Sequence, residues 1–307
     1  MAAVAPSGEQ YEIRWQDQHA TIVEVGGGVR EYTVGDRPVL DSYPLSDACD
    51  GAHGAPLVPW PNRLGDGRYR FDGIDYQVAL TEPEQHNAIH GFLRWRPWDA
   101  AELAEDRVVM AARIYPMPGY PFVLDVTVTY ALSDAGLTVT TAATNLSDRA
   151  CPYATGQHPY LSAGRGLIDD ATLQLDAGVR ILTDERQLPA GSEPVAGTDF
   201  DFRAARRLGD LHIDYAFTDL ARDADGLAWV RLTGPDGLCA ELWQDERYPY
   251  VELYTGDTLH PDRRRRGLGA EPMTGPPNAL QSGTDVIRLE PGETATAVWG
   301  VRLAGQP

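Results

Sequence analysis

Cysteine is scarce. The 307 residues hold three, Cys49, Cys151 and Cys239, odd in number and far apart. With no CxxC pair, neither a disulfide framework nor a zinc ribbon is supported, and free thiols in a reducing compartment are expected. Positive charge is also short: 26 Lys and Arg against 45 Asp and Glu give a formal net charge of -19. A field of that sign disfavours nucleic acid and anionic membrane surfaces as partners, since both require displaced counterions. No stretch approaches the roughly 20 apolar residues of a membrane span. The opening MAAVAPSGEQ lacks the basic start and apolar run of a secretory signal, so a cytoplasmic, soluble protein is expected. Neither a fixed-period repeat nor a long amphipathic helix is found.

What is present is strand after strand. Thr21 to Val25 and Val29 to Val34 are β-branched runs split by Gly26-Gly27-Gly28. Arg68 to Phe71 and Ile74 to Leu80 flank Asp72-Gly73, a strong hairpin signal. Val123 to Leu132 alternates and turns through 133–136 into Leu137 to Ala143. Val230 to Thr233 and Leu238 to Trp243 flank Gly234-Pro235-Asp236-Gly237 in the same manner. Val286 to Leu289 and Thr294 to Leu303 flank Glu290-Pro291-Gly292-Glu293. A period of two dominates, and the 31 glycines and 23 prolines fall largely between these runs. The pattern predicts an all-β chain, two large antiparallel sheets face to face, as one domain over 1–307.

The seven histidines are the first candidates for chemistry. His86 and His90 have the spacing of two metal ligands on a helix, but the segment lacks the glutamate of HExxH and lies among turns. One exposed and one structural histidine before a Gly91 turn is the expectation, with no metal. His158 stands before Pro159, which pushes it towards an extended backbone, and imidazole moves protons near neutral pH. Glu271 precedes a rigid segment, Pro272 to Asn278, able to fix a carboxylate. Asp214 suits a hydroxyl partner or a turn acceptor equally. Asn62-Arg63 follows Pro59-Trp60-Pro61, and an arginine fork beside tryptophan suits a polyhydroxylated ligand. Arg263 to Arg266 is the one basic cluster, either a solvated loop or the rim of a site for an anionic sugar.

Together these segments resemble the aldose 1-epimerase (galactose mutarotase) family. The resemblance runs in order through Gly26-Gly27, Asn62-Arg63, Gly67-x-Tyr69, Asp72-Gly73-x-x-Tyr76, Asn87-Ala88-Ile89-His90-Gly91 and Gly156-Gln157-His158-Pro159-Tyr160. It continues with Ile213-Asp214-Tyr215-Ala216-Phe217, Tyr254-Thr255-Gly256-Asp257, Glu271-Pro272-Met273-Thr274-Gly275-Pro276-Pro277-Asn278-Ala279, Ser282-Gly283 and Pro291-Gly292-Glu293. The Glu-Pro-Met-Thr form looks closer to the bacterial mutarotase-like branch than to the galactose enzymes. The resemblance implies a large antiparallel β-supersandwich and a cofactor-free isomerase acting on a free aldohexose, as monomer or homodimer. It implies Glu271 as general base and His158 as general acid, with Glu271 ionised and His158 protonated at the start. Arg63, His90, Asp214 and Asn62 would hold the sugar. Where the family often has His-Gly-Gly this chain has His90-Gly91-Phe92, so Phe92 is expected to reshape the pocket wall. The competing expectations are a hexose-6-phosphate or other anionic-sugar epimerase of the same fold, using the arginine cluster, and a non-catalytic carbohydrate-binding domain. A glycosidase would want two carboxylates flanking a bond, where these motifs supply one carboxylate and one histidine.

Overall fold

In the computed structural model, which describes residues 4–305, strand follows strand as the alternation predicts. Leu124–Ser133 shows why. Every second side chain is buried along its whole length, so one face meets the core and the other meets a wetter surface. It pairs in continuous register with Gly136–Asn145 through the Ser133–Gly136 turn. Among the described residues the helices are only a turn at Ile168–Asp170 and the four-residue Ala279–Ser282. None is long and apolar enough to cross a membrane.

Two large sheets carry the fold, and all their ladders are antiparallel. The 12-stranded sheet runs, edge to edge, from Gln10–Trp15 through Arg37–Leu40 to Tyr160–Ser162, Gly267–Met273, Tyr250–Tyr254 and Asp214–Leu220, ending at Pro189–Pro194. The 9-stranded sheet centres on Gly136–Asn145, Thr294–Ala304 and Cys239–Gln244. The main core cluster draws on both: Tyr32, Leu161, Leu253 and Leu268 from the first, Val128, Val139, Leu242 and Trp299 from the second. This is the β-supersandwich expected from the sequence.

The hairpin at Asp72-Gly73 forms between Arg68–Phe71 and Ile74–Gln77. The turn at 290–293 behaves differently. Its two flanking runs do not pair with each other: Ile287–Leu289 joins Cys151–Tyr153, while Thr294–Ala304 enters the 9-stranded sheet. All three cysteines are free, as expected.

Candidate active site

Cross-strand register builds the floor of a pocket. Asp214 lies opposite Tyr254, Glu252 opposite Glu271, and Gly269 opposite both Tyr254 and Tyr160. Directly opposed residues share a face and so do residues two apart on a strand. Asp214, Glu252, Tyr254, Glu271 and Tyr160 therefore project from one face. The alternate residues, Leu161, Leu253, Leu268 and Ala270, project from the other into the core. Pocket and core share the same strands.

His158 enters from the segment before Tyr160–Ser162. Its backbone N–H donates to the Ala55 carbonyl at 3.1 Å, and its carbonyl accepts from Gly54 at 2.8 Å. The neighbouring Gln157 is buried, its amide nitrogen donating to the Gly54 carbonyl at 3.1 Å and to the Tyr130 hydroxyl at 2.7 Å. Thus anchored, His158 Nε2 lies 3.0 Å from Glu271 Oε1, and both side chains are buried. His158 Nδ1 and Glu271 Oε2 have no hydrogen-bond partner among the described residues. Its ring stacks on Tyr160 at 4.9 Å between centroids, and Tyr160 stacks in turn on His53 at 3.8 Å.

His90 is set by a reciprocal pair of bonds. Its N–H donates to the Asn62 carbonyl at 3.0 Å, and the Asn62 N–H donates to His90 Nδ1 at 3.2 Å. Both residues sit at positive φ, +52° for Asn62 and +63° for His90, which side chains other than glycine adopt only when their surroundings compel it. Gly91 has no alternative: at φ +65° a Cβ would lie 1.9 Å from the Val58 carbonyl oxygen. His86 is exposed, so the spaced histidine pair divides into one surface and one buried residue.

Arg63 reaches the pocket already held. Its Nε donates to one oxygen of Glu82 at 3.0 Å and its Nη2 to the other at 3.3 Å. Burial opposes the charged guanidinium, but Glu82 and Asp214 outweigh it and hold its pKa above the ordinary value. Asn62, Arg63, His90, His158, Asp214 and Glu271 all line one cavity of about 270 Å³, together with Asp50, Glu82, Arg94, Tyr160 and Tyr254. All six residues anticipated from the sequence thus come together. A larger cleft of about 640 Å³ lies elsewhere, around Glu246, Arg247, Asp285 and Val286, and is lined by no histidine.

Burial sets the protonation of the pair. It raises Glu271 well above the carboxylate range, and the negative Asp214 adds to the rise. It lowers His158 well below the ordinary imidazole value, with His53 contributing in the same direction. Burial thus drives both groups towards their neutral forms. This departs from the ionised Glu271 and protonated His158 expected as the starting state. The physical reason is that two charges taken from water cost more than a single proton shared along a 3.0 Å contact.

Glu252 was not visible in the sequence. Beside Asp214, its buried carboxyl is raised well above its usual range by burial and then by Asp214 and Glu271. Asp214 is itself raised by burial and then pulled back by Arg63, so burial drives both carboxyls towards their neutral forms. Only register, not local sequence, places Glu252 against Glu271.

His90, His158 and Glu271 offer ligand atoms within 4.8 Å of one another, a spacing a metal ion could bridge. The protonation pattern opposes it. Burial keeps His90 neutral, and its Nδ1 lone pair is occupied by the Asn62 N–H, so Nε2 carries the proton. A ligating histidine has the reverse arrangement, donating from its far nitrogen and presenting a lone pair to the metal. Towards the pocket His90 is a hydrogen-bond donor.

Two expectations about the pocket wall are corrected. Phe92 packs edge-on against Trp60 at 4.8 Å and against Tyr120 at 5.7 Å, away from the cavity. Trp60 is itself buried and lines no part of the site. The apolar ring expected against a sugar face belongs instead to the core. The arginine run is likewise outside the cavity lining: Arg263 pairs with Asp41 at 2.8 Å, and Arg265 with Asp169 at 2.6 Å and Asp257 at 3.0 Å.

The sequence profile of the family Aldose 1-epimerase matches residues 9–302, and the chain belongs to this family. It is 37% identical over 291 residues to the uncharacterised protein YihR of Escherichia coli, covering 94% of this chain and 91% of YihR. It is 28% identical over 214 residues to the aldose 1-epimerase of the same organism, covering 66% of this chain and 60% of that one. Among solved structures, a GalM/aldose epimerase homologue from C. elegans superposes with a TM-score of 0.86 at 20% identity, covering 97% of this chain and 99% of the other. Galactose 1-epimerase from Lactobacillus acidophilus superposes at 0.80 with 18% identity, covering 97% and 99%.

Proposed function

We infer that this protein is an aldose 1-epimerase in activity as well as in family, interconverting the α and β anomers of an aldohexose at this pocket. The observation that carries the reading is the buried 3.0 Å contact between His158 Nε2 and Glu271 Oε1 in a cavity of sugar-binding chemistry. Opening a pyranose removes a proton from O1 and delivers one to O5, while the C1–O5 bond breaks and a C1 carbonyl forms. Glu271 takes the first proton and His158 gives the second. Rotation about C1–C2 turns the other carbonyl face to O5, and the two groups exchange roles as the ring closes. The net proton count is zero, which suits a pair that shares one proton. Sugar hydroxyls entering between the two groups replace their mutual contact and stabilise the charged forms that burial alone disfavours.

The remaining lining residues supply orientation. His90 donates from Nε2, Asp214 accepts, and Arg63, fixed by Glu82, presents a rigid cation, while Asn62 holds His90 in place. Holding O1 and O5 during the rotation is where such groups contribute most to rate. A core drawn from both large sheets supports reading 1–307 as one catalytic domain. A cytoplasmic location and a free sugar as partner complete the proposal. A purely carbohydrate-binding domain has no use for a desolvated acid–base pair.

Polarimetry on freshly dissolved α-D-glucose and α-D-galactose tests the assignment. Wild type should accelerate the approach to equilibrium. Glu271→Gln and His158→Asn should each lower kcat by about 10²–10⁴-fold with a far smaller change in KM. A rise in KM at unchanged kcat would make the altered residue a binding group only.

A further inference from the structure

Arg94 stands apart from the other arginines described above. It lines the same cavity as Glu271 and His158, yet makes neither a hydrogen bond nor an ion pair among the described residues. Arg63, by contrast, is clasped by Glu82, and Arg263 and Arg265 are taken up by aspartates away from the cavity. The side chain is not loose: its guanidinium lies 3.8 Å above the Trp95 ring centroid. Stacking occupies one flat face of the guanidinium and leaves its in-plane N–H groups free to donate. Burial lowers its pKa below the ordinary arginine value, and no carboxylate offsets that burial fully. The neighbouring Cys49 thiol, pushed up to about 11 by burial, stays neutral and supplies no counter-charge. The field of Arg94 reaches both histidines of the site, contributing to the lowering of His90 and His158.

A half-buried, pre-oriented and unpaired guanidinium in a ligand cavity is an arrangement that an anionic ligand completes. We propose that Arg94, stacked on Trp95, is the recognition group for an anionic substituent of the sugar, so that the preferred substrates are aldoses bearing a phosphate, sulfonate or carboxylate away from C1. The inference rests on the aldose reading and assigns the anion to Arg94 rather than to the arginine run. The acidic floor does not oppose it. Burial raises Glu252, Asp214 and Glu271 towards their neutral forms, and Glu82 is spent on Arg63. Asp50, the remaining acid of the lining, is exposed and makes no ion pair with Arg94.

The test compares anomer exchange and calorimetric binding for glucose, glucose 6-phosphate, a 6-sulfonated hexose and glucuronate, using wild type, Arg94→Gln and Arg94→Lys. Wild type should favour at least one anionic sugar over glucose in kcat/KM, and the favoured member identifies the group. Arg94→Gln should reduce the anionic-to-neutral ratio by about tenfold or more, the scale of a lost charge-assisted hydrogen bond. Arg94→Lys, which keeps the charge without the planar fork, should fall between. An unchanged ratio in Arg94→Gln, or preference for glucose over every anionic sugar, would overturn the assignment. Loss of the anionic preference in binding, with no turnover of any sugar by wild type, would support Arg94 and instead sink the mutarotase reading. A circular dichroism spectrum and urea midpoint matching wild type show that Arg94→Gln has folded.

Discussion

Gln157 touches no reacting atom in this account, yet its buried amide, tied to Gly54 and Tyr130, holds the chain on which His158 stands. The proposed proton transfers depend on such anchoring, because His158 and Glu271 are both buried. The same holds for the carboxylates. Asp214 raises Glu271 through its charge, so its removal has a definite sign. In Asp214→Asn the repulsion opposing ionisation of Glu271 disappears and the Glu271 pKa falls. The acid limb of the kcat/KM profile, which reports the free enzyme, should therefore move to lower pH, together with any loss of rate from weaker sugar binding. An acid limb left in place or displaced upward would show that Asp214 does not govern the base. His158, Glu271, Asp214, Arg63, His90 and Asn62 were legible because their short motifs, each weak alone, follow one another in the order of the family that the chain resembles. Glu252, Glu82, Arg94 and His53 were not, because nothing local marks them and only strand register or loop packing brings them to the site.

At the scale of elements, the sequence pattern located strands well and their partners less well. Alternation marked Leu124–Ser133 and its turn marked Gly136–Asn145, and these two pair as neighbours. The turn at 290–293 carries an equally strong signal, but its flanking strands part to different sheets, Ile287–Leu289 to Cys151–Tyr153 and Thr294–Ala304 to the 9-stranded sheet. The short strands Arg63–Gly65 and Asn87–Ile89 carry too few residues to show any period, though their pairing positions Arg63 against Ile89 and brings His90 to Asn62. Gly91 is the hinge of that construction. Gly91→Ala would force a Cβ to 1.9 Å from the Val58 carbonyl oxygen and impose a left-handed conformation on alanine. It should destabilise the fold by about 2 kcal/mol or more, read as a lower urea midpoint, and weaken sugar binding by displacing His90. An unchanged midpoint would mean that the 58–62 segment yields easily.

For the whole molecule, the two large sheets leave a face of the 12-stranded one to carry polar, ionisable side chains while its reverse closes the core. That division explains how five ionisable or phenolic side chains, Asp214, Glu252, Tyr254, Glu271 and Tyr160, can stand together on central strands of a sheet with an apolar back. The central claim is that this pocket opens and closes a sugar ring through His158 and Glu271. Exchange NMR on an aldose already at anomeric equilibrium tests it most directly, since the α and β signals then exchange only by ring opening. Trace wild-type protein should raise the exchange rate well above buffer, for neutral or anionic aldoses, while Glu271→Gln returns it to the buffer rate. Exchange no faster than buffer with wild type across all these sugars, or undiminished exchange in Glu271→Gln, would contradict the account.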